Sequence, residues 1–414
     1  MHRCCYNESR VIGKMTLRKG CMAIYKVTHG IKYDYYSVLG FKFKKLNSNY
    51  YHEAALLRQA GDIPLTAGGV SLRANFSEIS GESQVAKDFC SLLDYGKIPY
   101  DKNEFHHLGV CPKYKNLINF SVFDYIKHPQ YNNATFMAWE FESGMLEVRP
   151  YLFDNINSVI VHSNFCYEYF KQIIPSHIKL IKILYPYRFV APSCSVAEVR
   201  KRYQLTDDDF VLFFNFSYFS SYYRKNPELL LEVFKKSLGQ CSNAKLFIKT
   251  NGVRERYRNM MLSKISELGL DSQLILEEKS LSRQEMIDVM NMSDLYVSLH
   301  RGEGLGLGML EAMSLGKTVV ATDYGGNREF VKNEFAFPID YRLIKPEQID
   351  LKEYRFVQKW AEPDKEQCVE TLRSLYADRS KCEELGKKAR NFVHDIYSYE
   401  NVLKIFKDNF QFLE

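Results

Sequence analysis

The chain has 414 residues, 46% hydrophobic and 26% charged, with 28 Phe and 29 Tyr against only 2 Trp. This is the composition of a folded globular protein, long enough for two domains of ordinary size. The net charge of +6 is mild, and no basic cluster coincides with a nucleic-acid module, so nucleic acid is not an expected partner.

The charge is unevenly placed. Residues 9–46 hold nine Lys or Arg (Arg10, Lys14, Arg18, Lys19, Lys26, Lys32, Lys42, Lys44, Lys45) against a single acid, Asp34. Tyr25, Tyr33, Tyr35, Tyr36, Phe41 and Phe43 lie among them, so residues 1–58 read as a basic, aromatic-rich leader. Basic residues beside aromatics suit an anionic membrane surface; a solvated basic face or a mobile leader is the alternative, and the residues leave both open. The ten cysteines are scattered, with Cys4-Cys5 the only close pair. Such usage fits a reducing compartment and shows no zinc-type cluster. No apolar run approaches the length of a membrane span, and the N-terminus lacks the apolar core of a signal peptide. The expected location is the cytoplasm, at the inner face of a membrane if the leader binds one.

Beyond the leader, Gly68 to Leu72 opens a segment in which Ser80 to Ser83 reads as a loop entering a helix to about Leu93. Lys115 to Val122, Thr135 to Glu140 and Val159 to His162 are strand candidates, the last running through Ser163-Asn164-Phe165 into a helix. Tyr185 to Ser195, with Pro186 and Pro192, has the look of a linker. Phe210 to Phe216 is an apolar strand that begins a second domain, and Arg224-Lys225-Asn226-Pro227 follows, with Pro227 suited to the first turn of a helix. Leu246 to Lys249, Leu274 to Leu276 and Leu295 to Leu299 continue the strands. Gly304-Leu305-Gly306-Leu307-Gly308 then precedes a helix from Met309, which Gly316 ends. Thr318 to Ala321 is the next strand, Gly325-Gly326-Asn327 the turn after it, and Glu366 to Glu414 is helical. Strands alternating with helices predict an α/β fold of parallel sheets. The expected division is 59–190 for a first Rossmann-like domain, 196–385 for a second and 386–414 for a C-terminal helix.

The chemistry concentrates between Ser293 and Val331. A strand, a glycine turn and a helix N-terminus follow one another, and helix N-termini bind anions through free N–H groups and the positive dipole end. Glu303 lies just before the turn and Glu311 about two helical turns beyond it. Ionised carboxylates accept hydrogen bonds from paired hydroxyls. A nucleotide-sugar offers both phosphate and diols. Gly316-Lys317-Thr318 imitates the end of a phosphate-loop motif, but the required first glycine falls at Glu311. Glycines 304, 306 and 308 are spaced G-x-G-x-G rather than G-x-G-x-x-G, which leaves a dinucleotide reading open but weaker. Taken singly, either glutamate could be a helix cap or a solvated helix face.

This stretch resembles the C-terminal signature of retaining glycosyltransferase family 4, and within it bacterial surface-polysaccharide enzymes with a His-Arg pair, here His300-Arg301, before the first glutamate. The resemblance covers roughly Gly61 to the C-terminus and implies the GT-B fold: two Rossmann-like, doubly wound parallel-sheet domains facing a cleft, with the terminal helix crossing back. It implies that Glu303 contacts the donor sugar and Glu311 the ribose. The backbone of Gly304, Leu305, Gly306 and Leu307 would approach the sugar and its phosphates. Lys225 would neutralise the diphosphate leaving group. An arginine five residues before that lysine is usual in the family, and Ser220 stands there instead; Arg224 or Lys249 would supply the charge, or the site would run with less. On the first domain, Ser80, Gly81, Glu140 and His162 are the cleft candidates. Gly81 could let the backbone approach a phosphate or acceptor, or simply start a helix. The family's cleft histidine has no clear counterpart, leaving His106, His107 and His162.

The implied activity is transfer of a hexose-type sugar from a nucleoside diphosphate sugar to a saccharide or lipid-linked saccharide, with retention and without metal or cofactor. Two rivals stay open: an NAD-dependent oxidoreductase, and an inactive GT-B-like partner subunit.

Overall fold

The computed structural model describes residues 65–77, 81–104, 112–120, 131–145, 153 and 156–410, together with the backbone of four strands between residues 14 and 46. The chain divides into two compact units. The first is Met1–Phe136 with Asn155–Asn157 and Phe412–Glu414; the second is Met137–Asp154 with Ser158–Gln411.

In the first unit, β1 (Lys14–Thr16), β2 (Met22–His29), β3 (Tyr33–Val38) and β4 (Phe41–Leu46) form an antiparallel meander. The side chains of this basic segment, and with them its expected membrane contact, lie outside the described residues. Next come β5 (Thr66–Ala74), helix α1 (Gly81–Tyr95), β6 (Tyr100–Glu104), β7 (Tyr114–Asn119) and β8 (Asn132–Phe136). These strands pair in parallel in the order β6-β5-β7-β8. Ala86, Phe89, Cys90 and Leu93 recur at helical spacing and are all buried, giving α1 the apolar stripe that seats it. Phe89 packs edge-on against Phe120 and Phe136, with ring centroids 5.5 and 5.3 Å away.

The strand expected over Thr135 to Glu140 instead ends at Phe136; Met137 N–H still donates to Ile160 O at 2.9 Å, and residues 138–140 have no regular structure. The tight bend Trp139–Gly144 explains the stop. The Trp139 indole N–H donates to Ser143 O at 2.8 Å, and Gly144 takes a φ of 95°. A backbone folding back within five residues cannot continue a strand.

The second unit begins with β9 (Ser158–Val161), α2 (Asn164–Ile173) and β10 (Lys179–Lys182), the two strands paired in parallel. After α3 (Val196–Arg202) come β11 (Phe210–Ser217), α4 (Tyr222–Lys225), α5 (Pro227–Leu238), β12 (Ala244–Asn251), α6 (Glu255–Glu267) and β13 (Leu274–Glu277). They continue as α7 (Arg283–Asn291), β14 (Leu295–Ser298), α8 (Leu307–Ser314), β15 (Thr318–Thr322) and β16 (Phe337–Ile339). A parallel six-stranded sheet results, ordered β13-β12-β11-β14-β15-β16. The antiparallel pair β17 (Tyr341–Ile344) and β18 (Trp360–Pro363) and helices α9 (Lys365–Ala377), α10 (Arg379–Ile396) and α11 (Tyr399–Asn409) complete the unit. At the end of α11, Asn409 O accepts from Lys179 Nζ of β10 at 3.1 Å.

Phe210 to Phe214 are buried without alternation, as a parallel strand covered on both faces requires. Each such side chain contributes about 1.5–3 kcal/mol of burial. The segment Tyr185–Ser195 has no regular structure, yet Tyr185 and Tyr187 are buried, so it is anchored by its aromatic rings. Among the described residues, no helix is long and apolar enough to cross a membrane.

Candidate active site

Sheet order locates the site before any side chain is considered. The chain leaves β11 toward β12 and β13 on one side, then returns to build β14, β15 and β16 on the other. Connections therefore diverge at the carboxyl ends of β11 and β14, and in open α/β sheets ligands bind at such a switch point. The two segments that emerge there are Tyr218–Asn226 and Leu299–Gly306.

These segments are stitched together by backbone. Arg301 N–H donates to Arg224 O at 2.8 Å, and the Asn226 side-chain amide donates to Leu299 O at 3.0 Å. Asn226 takes the left-handed conformation, ending α4, and Pro227 starts α5 in the next residue. Short polar asparagine tolerates that backbone, and proline's fixed φ suits a first helical turn. The local sequence Arg224-Lys225-Asn226-Pro227 thus holds both cations at a sharp corner.

From the corner, Lys225 Nζ donates to Glu303 Oε2 at 2.5 Å. The Arg224 guanidinium lies between two carboxylates, 3.6 Å from Glu303 Oε2 and 3.5 Å from Glu140 Oε1. It also donates to Gly302 O at 2.8 Å, Ser220 O at 2.9 Å and Ser220 Oγ at 2.6 Å. Arginine's planar fork reaches all of these at once, which a lysine could not do. The Arg224 guanidinium thus lies directly against Ser220. Lys249, near the end of β12, donates to Thr250 O and to Asn251 Oδ1, the latter at 2.7 Å.

Burial alone would raise the Glu303 carboxyl, but Lys225 and then Arg224 outweigh it and hold the group down at about 2. A depressed carboxylate adds stability above its unfolded value near 4.5, and that stability is lost as pH falls toward 2. Wild type should therefore lose unfolding free energy between pH 4.5 and 2, and Glu303→Gln should be flatter over that window. Chemical unfolding at stepped pH checks this, and parallel curves for the two proteins would refute it.

The glycine turn is held from several sides. Gly306 caps α8 with a φ of 97°, open to glycine at little cost. Gly326 N–H donates to Glu303 O at 2.8 Å, and a Cβ on Gly326 would fall 2.0 Å from Gly304 O, so no side chain fits there. Ser163, the N-cap of α2, donates its hydroxyl to Gly304 O at 2.7 Å. Leu305 is buried and Leu307 is the first residue of α8.

Glu311 is buried on α8 and pairs with Arg283, the first residue of α7. A capping box of Ser282 and Glu285 starts that helix and sets where Arg283 projects. His300 is fully buried and held neutral by its burial, which pulls it down to about 4. Its Nε2 lies 2.9 Å from Tyr324 O. A carbonyl only accepts, so Nε2 carries the proton and Nδ1 accepts from Ser298 Oγ at 3.0 Å. His300 thereby pins the strand end before Gly325-Gly326. Arg301 pairs with Glu362 at 2.7 Å.

The structure thus brings Glu140, Arg224, Lys225, Glu303 and the Gly304–Leu307 turn together. His162 is engaged elsewhere: its Nδ1 lies 3.0 Å from Ile183 O, its ring is edge-on to Tyr185, and burial lowers it to about 4. Gly81 is the exposed first residue of α1, and a Cβ there would meet nothing within 4 Å. Ser80, His106 and His107 lie outside the described residues. Arg283 and Ser163 were missed in the sequence, because an arginine after a capping serine and a serine before a helix are both ordinary helix starts.

Residues 198–392 match the model of the family described as glycosyl transferases group 1. Over 273 residues the chain is 24% identical to the lipopolysaccharide 1,2-N-acetylglucosaminetransferase of Salmonella typhimurium, and the match spans 63% of each protein. Among solved structures it is similar to Anabaena HepE in complex with UDP and glucose (TM-score 0.61, 14% identity, 83% of this chain and 99% of that one). It is also similar to a mutant of S. aureus TarM in complex with fondaparinux, alpha-GlcNAc-glycerol and UDP (TM-score 0.57, 14% identity, 95% of this chain and 68% of that one). At such identities these likenesses show the fold alone: two Rossmann-like α/β domains of the GT-B architecture.

Proposed function

We propose that this protein is a glycosyltransferase. It moves a hexose-type sugar, with retention of configuration, from a nucleoside diphosphate sugar to a saccharide or lipid-linked saccharide. The observation that carries the reading is the meeting of Arg224 and Lys225 with Glu303 beside a glycine turn, at the sheet's switch point. A diphosphate leaving group needs fixed cations, and a sugar needs a carboxylate for its hydroxyls; both are present in one place.

The free protein satisfies Lys225 with Glu303. A bound donor would place its diphosphate on Lys225 and Arg224, releasing the Glu303 carboxylate to accept from sugar hydroxyls. Departure of the nucleoside diphosphate develops negative charge next to those cations, so catalysis rests on positioning and charge stabilisation. The N-terminus of α8 adds its dipole for the phosphates. Glu311, about one turn along α8, is assigned to the ribose diol, exchanging part of its pairing with Arg283 for the ligand. No metal or cofactor takes part in this reading. The similarity to a lipopolysaccharide enzyme supports a role in bacterial surface-polysaccharide synthesis, placed in the cytoplasm at the inner membrane face.

The test is calorimetric binding of UDP, GDP, ADP and NAD to wild type and Glu311→Ala. One nucleoside diphosphate should bind wild type, and the variant should bind it about 1.5–3 kcal/mol more weakly. Unchanged affinity in a folded variant would remove Glu311 from the ribose. Binding of NAD alone would make the protein an oxidoreductase, and no binding at all would favour an inactive partner subunit.

A further inference from the structure

The corner that aims the two cations contains a strained residue. Ser221 has φ 71° and ψ 111°, a conformation outside the regions that a residue with a Cβ adopts readily. Such a backbone persists only where its surroundings hold it, and these residues cluster at functional positions.

What holds Ser221 is Asp350, in the segment between β17 and β18. Ser221 Oγ donates to Asp350 Oδ1 at 2.5 Å, and the next peptide N–H, that of Tyr222, donates to Oδ2 at 2.6 Å. One carboxylate therefore grips both sides of the strained peptide. The same hydroxyl accepts from Arg224 N–H at 3.2 Å, passing the constraint to the start of α4. Farther along the segment, the Tyr354 ring lies 5.9 Å from the Arg224 guanidinium and packs edge-on against Phe141 at 4.9 Å and Trp139 at 5.8 Å. The β17–β18 segment thus holds the corner at its beginning and the guanidinium at its end.

We propose that Asp350 is a positioning residue for the diphosphate site: it keeps Ser221 in its strained conformation and, through that turn, sets Arg224 and Lys225 beside Glu303. Without the carboxylate, Ser221 relaxes to an ordinary backbone, and the four residues that follow swing with it. The proposal rests on the reading of Arg224 and Lys225 as diphosphate ligands.

The test titrates UDP, GDP and ADP in turn into wild type, Asp350→Ala, Asp350→Asn, Lys225→Ala and the Lys225→Ala/Asp350→Ala double variant. Whichever diphosphate binds wild type should bind Asp350→Ala about tenfold more weakly, the scale of losing hydrogen bonds to a charged group. Asp350→Asn keeps one acceptor oxygen and should fall between; it also serves if the alanine variant does not fold. Because Asp350 positions Lys225 as well as Arg224, its removal should cost less in the Lys225→Ala background, where one of the two cations is already gone, than in wild type. An equal tenfold loss in both backgrounds would mean that Asp350 does not position Lys225, and would overturn the proposal as stated. So would unchanged affinity in both folded Asp350 variants while wild type binds. If wild type binds none of the three, the diphosphate-site reading fails, and the proposal fails with it.

Discussion

Arg224→Ala should destabilise the protein by about 3–5 kcal/mol, the usual cost of removing one partner from a buried charge network, and abolish sugar transfer with it. Arg224 is 2% exposed, and its guanidinium joins Ser220, Gly302, Glu140 and Glu303. Deleting it leaves the Ser220 and Gly302 carbonyls without this donor and two carboxylates facing each other with one cation fewer. Arg224→Lys keeps the charge but loses the fork, so it should recover only part of the stability. Denaturant unfolding of the three proteins, with turnover measured in parallel, gives the answer. An alanine variant as stable as wild type would mean that Arg224 does not hold the two loops together.

Lys225→Ala should shift the balance the other way, lowering turnover more than it alters folding. Glu303 keeps Arg224 at 3.6 Å when Lys225 is gone, so its carboxylate is not stranded. The ammonium, however, is the group poised at 2.5 Å from the carboxylate that the donor sugar would engage. Removing one fixed stabiliser of developing charge costs about 10²–10³ in turnover. The loss should appear mainly in kcat, because the charge on the leaving group grows as the bond breaks. Steady-state kinetics on the donor selected by calorimetry would settle it. Normal turnover by a folded Lys225→Ala protein takes Lys225 out of the diphosphate site.

The contrast between these neighbours shows why a sequence reading treats them alike and a structure does not. Both are basic residues before Asn226-Pro227. Only the fold turns Arg224 inward as a hub and leaves Lys225 at the edge with one strong partner. The sequence also offered Lys249 as an alternative source of charge. Its ammonium is taken up by Thr250 and Asn251 on its own strand end.

Much of the second unit could be read from the chain. Buried parallel strands are continuous apolar runs, which is why Phe210 to Phe216, Leu295 to Leu299 and Thr318 to Ala321 were recognisable with small errors at their ends. Gly316 was readable as a helix stop because its backbone, at φ 78°, is one that glycine takes at little cost. Asn226-Pro227 and the Gly304–Gly308 turn are likewise written in local chemistry. The end of the Thr135 strand was not, because Phe136 to Trp139 remains apolar beyond the point where the strand stops.

Local sequence, then, determined the α/β class, the order of strands and helices, and the positions of the two glutamates around the glycine turn. Each depends on interactions within a few residues or on a repeating pattern of burial. The tertiary structure alone decided which groups meet. Arg283 reaches Glu311 from 28 positions away and Asp350 reaches Ser221 from 129. Ser163 fastens Gly304 across 141. Such partners carry no local signature: a carboxylate in a polar loop looks the same whether it faces water or holds a strained peptide in place. Only burial and the three-dimensional path of the chain assign it a partner.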